Sequence, residues 1–239
     1  MLKIDLHLHT IASLHAFNTL CEYIEQAKKN KMKVIGISDH GPATESSLTD
    51  NIYFRTLDRI PKKVSGIRIL RGAEANIIGP DGEIDLSEKA LAKLDYVIAN
   101  FHLRSGYEDK GKKKNTQAMI KAIESGKINI ISHPHVIDTP IDHKKIYETA
   151  CKNSALLEIN LSYLAARRIN KETLFGIKEI VDTAKRFKCK VIVNSDSHCI
   201  WELGDDSNLK KYKKELGLTD SMIINNYPKE LFKLLKIDE

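Results

Sequence analysis

The sequence has no apolar run approaching the roughly 20 residues that span a bilayer, and its first residues lack the basic-then-apolar pattern of a secretion signal. Both absences lead us to expect a cytoplasmic protein. Cysteine is scarce: Cys21, Cys151, Cys189 and Cys199 form no C-x-x-C pair and show no disulfide-framework spacing, in agreement with a reducing compartment. Also missing is any basic block interleaved with aromatics. The net charge of +6 comes from lysines spread along the whole chain, and the one biased tract, "DKGKKKN" around Lys110 to Asn115, reads as an exposed loop. This is a solvated surface rather than a nucleic-acid face, and at most its field favours the approach of anionic substrates. No linker divides the 239 residues, so one domain over 1–239 is expected. A chain of this length buries roughly 70 to 75 per cent of its unfolded surface without a staple, so a metal would serve chemistry rather than folding.

Present instead are short apolar runs alternating with helical patterns. The runs are "LKIDLH", "KVIGIS" at 33–38, "IRILRGA" at 67–73, "YVIAN" at 96–100, "INIIS" at 128–132, "LLEIN" at 156–160 and "KVIVNS" at 190–195. Between them lie Leu20 to about Lys29, "NTQAMIKAIESG", "DHKKIYETACKN" and "KETLFGIKEIVDTAKRF", which carry helical periodicity. Seven strands alternating with helices predict an α/β fold with a mainly parallel sheet, closed as a TIM-like barrel, an open doubly wound sheet being the alternative. "GPDGE" at 79–83 predicts a small hairpin after the third strand.

Polar residues collect where these strands end. Eight of the nine histidines lie at or just after a strand's C-terminus, among them His7, His9, His40, His102, His133 and His198. In barrel enzymes that face carries the active site. Within "HLH" the strand period puts His7 and His9 on one face, roughly 6.6 Å apart along the backbone, able to converge on one ion. Asp196 and His198 repeat the geometry. Asp5 shares the face of His7 and is a candidate to hold a ligand imidazole from behind. Glu74 ends the third strand and has two oxygens with which to bridge two cations; His15 belongs to a loop folding back over the mouth. Nine candidate ligands, ten bonds if Glu74 bridges, suit three ions better than two, because catalytic metals take three or four protein ligands each. A trinuclear site is expected, with a dinuclear one as fallback.

The ordered series "DLHLHT", "SDH", Glu74, "FH", "SHP" and "SDSH" resembles the PHP (polymerase and histidinol phosphatase) superfamily, and most of all its small stand-alone phosphatases of the YcdX type. The resemblance covers essentially the whole chain. It implies a distorted (β/α)7 barrel, three divalent ions, usually zinc with manganese or iron as alternatives, and hydrolysis of phosphate esters. It puts His7, His9, Glu74 and Asp196 on one ion, Glu74, His102 and His133 on a second, and His15, His40 and His198 on a third. "FHLRSGYEDKGKKK" and "HPHVID" depart from the pattern and leave substrate preference open.

The chemistry expected is attack on a small phosphorylated substrate by a hydroxide bridging two ions, with the third ion offsetting charge on a phosphate oxygen. A metal-bound water or Asp5 is the candidate general acid, and Arg104 a candidate phosphate clamp. Duller readings go to His135, to His143 on the surface, to Cys199 as a buried thiol, and to Trp201 and Asn160 as either site or packing residues. Two other functions compete. An amidohydrolase-type C–N hydrolase also begins with H-x-H, and a phosphodiesterase or exonuclease-like accessory module shares the metal chemistry.

Overall fold

The computed structural model describes residues 1–45, 47–137 and 139–238; Asp138 of the "HPHVID" stretch lies outside them. All seven expected runs form strands: β1 (Ile4–Asp5), β2 (Val34–Ile37), β4 (Ile67–Arg71), β6 (Ile98–Asn100), β7 (Ile130–Ile131), β8 (Leu156–Asn160) and β9 (Val191–Asn194). Two more were not expected. β3 (Lys63–Val64) is an antiparallel edge on β4, and the third strand breaks after Arg71 to resume as β5 (Glu74–Asn76). That break divides the pairing into one sheet ordered β1-β2-β4-β3 and another ordered β5-β6-β7-β8-β9. Every pair except β3–β4 is parallel.

Isolated parallel bridges join the sheets, Leu8 beyond β1 with Ser197 beyond β9, and His40 beyond β2 with Glu74 of β5. Ile4, Val34, Leu70, Ile98, Ile130, Leu156 and Ile192, one from each expected run, pack into a single apolar cluster with Leu231 and Phe232. The result is a mixed α/β arrangement consistent with a TIM-like fold. Tyr96 crosses this cluster, its hydroxyl donating to the carbonyls of Leu6 (2.7 Å) and Ile37 (3.1 Å). Its ring fits because Gly36 and Gly72 present no side chain; a Cβ on Gly72 would lie 2.3 Å from its Cζ.

The helices are α1 (Leu20–Lys29), α2 (Asn51–Thr56), α3 (Glu88–Leu91), α4 (Lys112–Glu124), α5 (His143–Lys152), α6 (Lys171–Phe187), α7 (Ser207–Tyr212) and α8 (Pro228–Leu235). α1 starts on a capping box, in which Thr19 accepts from Glu22 N and the Glu22 carboxylate accepts from Thr19 N at 2.7 Å. Asn170 caps α6 through Thr173 N at 2.7 Å. The "GPDGE" turn is a hairpin, with Ile78 N donating to Glu83 O and an antiparallel bridge between Ile77 and Ile84. One cysteine expectation is corrected. Cys151, near the end of α5, and Cys189, just before β9, form a disulfide across 38 residues. Folding, not sequence spacing, brings them together. No helix among the described residues is long and apolar enough to cross a membrane.

Candidate metal centre

Seven imidazoles and two carboxylates meet at the C-terminal ends of the strands. His7 and His9 follow β1, His40 follows β2, Glu74 opens β5, His102 follows β6, His133 follows β7, and Asp196 and His198 follow β9. His15 arrives on the loop between β1 and α1. That loop is fastened by Asp39, whose carboxylate accepts from Thr10 N (2.7 Å), Thr10 Oγ1 (2.9 Å) and Ser13 Oγ (2.7 Å). All nine sequence-predicted ligands are brought together.

Most of these rings have their tautomer set from outside. His7 Nδ1 donates to Glu158 (2.8 Å), His9 Nδ1 to Ser13 Oγ (3.2 Å), His102 Nδ1 to Asn76 Oδ1 (2.8 Å) and His198 Nδ1 to the carbonyl of Asp196 (3.0 Å). A neutral imidazole that donates through Nδ1 keeps a lone pair on Nε2, and in each case Nε2 turns inward. His7 Nε2 faces His9 Nε2 at 3.1 Å, and His15 Nε2 faces His40 Nε2 at 3.3 Å and His198 Nε2 at 2.9 Å. Glu74 Oε1 lies 3.3, 3.2 and 3.3 Å from Nε2 of His7, His102 and His133; its Oε2 lies 3.4 Å from His9 Nε2 and 3.0 Å from His40 Nδ1. Asp196 Oδ1 is 3.4 and 3.3 Å from Nε2 of His7 and His9.

These spacings are the signature of a cation-binding site. Two atoms bound tetrahedrally to one ion at about 2.0 to 2.1 Å are themselves roughly 3.3 Å apart. The nitrogen and oxygen donor set, with lone pairs converging on common points, fits zinc or a similar divalent metal. Three groups of potential ligands stand out: His7, His9 and Asp196; Glu74, His102 and His133; and His9, His40 and His198. In the third group His15 is the better partner than His9. His9 Nε2 already faces His7 and Asp196, and its Nδ1 is occupied by Ser13.

The residue that sequence reading missed is Glu158. Fully buried in the middle of β8, its carboxylate accepts from His7 Nδ1, Asn194 Nδ2 (2.9 Å), Asn160 Nδ2 (3.0 Å) and the backbone N–H of His133 (2.8 Å). One side chain thus fixes two candidate ligands. The signal was available, since Glu158 is two residues from Asn160 and faces the same way. Asn160 also donates to Asp196 Oδ2 at 3.1 Å, so it supports the site as well as capping the following turn. Asn76, which orients His102, is in turn held by Asp85.

Other expectations need correction. Asp5 touches no imidazole: its carboxylate accepts from the backbone N–H of His7, Ser195 and Gly204, and burial pushes its pKa up to about 6. Enclosed and committed to backbone, it is poorly placed to donate a proton to substrate. Arg104 points away to an exposed contact with Glu45 at 3.3 Å, its side chain 81% exposed. The arginines in the cavity are Arg167 and Arg168, which follow β8. Cys199 is half-exposed and lines the cavity rather than being buried. Trp201 is 79% exposed, so core packing is excluded, and it is not among the residues that line the cavity over the donors. His135 packs edge-on to Tyr163 with both ring nitrogens buried and unbonded, and His143 donates to the carbonyl of Pro134.

The cavity above the donors measures about 420 Å³. Burial opposes ionisation of Glu74, but His7 and His102, when protonated, outweigh it and hold the carboxyl well below its ordinary range; His7 and His9 do the same for Asp196. Both therefore enter the site as anions. His133 and Asp196 have φ of +28° and +54°, left-handed values that cost side-chain-bearing residues on the order of 1–3 kcal/mol each. Surrounding structure holds strained backbone at two candidate ligands.

Comparisons with known proteins agree with this geometry. The family model for the PHP domain matches residues 5–143. Among solved structures, the chain is similar to the histidinol phosphate phosphatase of Lactococcus lactis complexed with zinc, L-histidinol and phosphate. Identity is 16%, over 91% of this chain and 94% of that one, with a TM-score of 0.58. It is similar too to a histidinol phosphatase of Listeria monocytogenes (16%, 89% and 99%, TM-score 0.59). A third similar chain belongs to an archaeal ribonuclease P solved with mature tRNA (15%, 98% and 90%, TM-score 0.60). At such identities these likenesses bear on the fold.

Proposed function

The chain belongs to the PHP domain family, and from that premise we propose that it is a metal-dependent phosphatase acting on small phosphate monoesters. We read the chain as one domain over residues 1–239 with a distorted (β/α)7 barrel fold, a reading supported by the parallel bridges Leu8–Ser197 and His40–Glu74 between the two sheets. Its centre takes three divalent ions, zinc first among them. His7, His9, Glu74 and Asp196 hold one, Glu74, His102 and His133 the second, and His15, His40 and His198 the third. The observation that carries this reading is the double orientation of Glu74, one oxygen toward His7, His102 and His133 and the other toward His9 and His40.

When bound, the ions supply a water acidified enough to attack phosphorus at neutral pH and a positive field for the phosphate oxygens. With only Glu74 and Asp196 as anionic ligands, three dications leave about four positive charges, a natural complement to a phosphate dianion. The protein's own residues do the rest. Glu158 and Ser13 keep the lone pairs of His7 and His9 turned inward, Asn76 does so for His102, and the strained turns at His133 and Asp196 fix their direction.

Metal analysis and phosphatase assay test the reading. Purified protein should carry close to three divalent ions per chain and hydrolyse p-nitrophenyl phosphate, with activity lost on chelation. A stoichiometry steady near one, or activity surviving full demetallation, refutes it. Histidinol phosphate belongs in the first substrate panel because the Lactococcus relative is complexed with L-histidinol and phosphate.

A further inference from the structure

We propose that the substrate carries a second anionic group, carboxylate or phosphate, beyond the ester phosphate, and that Arg168 binds it. The proposal rests on the phosphatase reading and adds a substrate class to it.

Two arginines from the segment after β8 line the cavity, and their circumstances differ. Arg167 is neutralised by Glu202 at 3.0 Å, and Glu202 is itself held by the backbone N–H of His198 at 3.0 Å. Arg168 makes no ion pair among the described residues. One of its nitrogens donates to Ser162 Oγ at 2.6 Å, and its guanidinium lies 5.1 Å from the centre of the Tyr163 ring. Hydroxyl and ring hold the plane in place while most of its five N–H donors stay uncommitted. A guanidinium so held is ready for bidentate recognition of an oxyanion.

That oxyanion is not the reacting phosphate. Among the described residues no hydrogen bond or ion pair joins Arg168 to a metal-ligand candidate; Tyr163 touches both sides, its ring centre 5.8 Å from that of His133 and 5.1 Å from the Arg168 guanidinium. On the proposed reading, the charge that balances the reacting phosphate would come from the ions held among the metal ligands. An unpaired arginine one aromatic side chain away adds a separate positive point in the same cavity. The best complement is a short ester bearing anions at both ends. A cationic alcohol portion, by contrast, would face Arg168 without compensation.

The test compares matched pairs on metal-loaded protein. 3-Phosphoglycerate and glycerol 3-phosphate differ by a carboxylate, as do the non-hydrolysable 4-phosphonobutyrate and butylphosphonate. We expect kcat/KM for 3-phosphoglycerate to exceed that for glycerol 3-phosphate by roughly ten- to a hundredfold, and the Kd of 4-phosphonobutyrate to be lower by a similar factor. In Arg168→Gln both preferences should collapse to within about threefold of unity, and Arg168→Lys, which keeps the charge but not the fork, should fall between. The idea is overturned by absence of preference in the wild type, by a preference that persists in Arg168→Gln, or by an equal loss on both members of each pair. The last result would move Arg168 onto the reacting phosphate. If no ester is hydrolysed, the phosphatase reading fails while calorimetry with the two phosphonates still decides the role of Arg168.

Discussion

At the scale of single residues, the site depends on side chains that never touch an ion. Glu158 accepts four hydrogen bonds and thereby orients both His7 and the backbone of His133. Glu158→Ala should lower metal affinity by roughly ten- to a hundredfold, the usual cost of losing such a partner, read by chelator competition. Unchanged affinity would remove Glu158 from the positioning scheme. His135 offers a different test. Burial, reinforced by the neighbouring His133 and His143, pushes its pKa from 6.5 down to about 3. Between those values the unfolded chain takes up a proton that the folded one refuses, so this stability is complete above pH 6.5 and drains away as pH falls toward 3. In EDTA, wild-type protein should lose about 2 kcal/mol more than His135→Phe on going from pH 7 to pH 5 in urea denaturation. Equal losses would mean that the ring protonates in place.

At the scale of elements, strands set direction and loops set reach. Tyr96 occupies space left by Gly36 and Gly72, so Gly72→Ala forces the ring aside and should cost about 1–3 kcal/mol in thermal or urea denaturation, with metal ligands untouched. His15 rides on a loop held by Asp39, and His15→Ala should leave the fold intact while metal content drops by one per chain; unchanged stoichiometry removes His15 from the ligand set. The same division explains what was legible in the sequence. Strands with apolar runs end in histidine at a period of two, so β1, β2, β6, β7 and β9 pointed to His7, His9, His40, His102, His133 and His198 directly. Loops carry no such register. Arg104 was nominated because it lies near His102, yet its side chain is exposed and pairs with Glu45. Arg168 is far from any histidine in sequence and enters the cavity only through the segment after β8. Glu158 sat inside a buried strand, where an apolar reading hid its charge. The Cys151–Cys189 pair depends on α6 returning the chain beside α5, a contact that spacing does not encode.

At the scale of the molecule, the proposed ions tie together both halves of the chain, because ligands come from residues 7 to 198. Metal binding to the folded state alone stabilises it by mass action, about 2.7 kcal/mol for each site at a free concentration a hundredfold above Kd. Adding EDTA should therefore lower Tm by several degrees as well as stop turnover, and re-adding zinc should restore both. A Tm indifferent to chelation would mean that the donors hold no ion. The bridge between Leu8 and Ser197 sets His7 and His9 beside Asp196 and His198. A ribosome making this polypeptide exposes the first pair of donors long before the last pair exists. If the site is loaded as proposed, the nascent chain carries an incomplete set of donors through most of its synthesis, and the last ions can be delivered only after translation has passed residue 198.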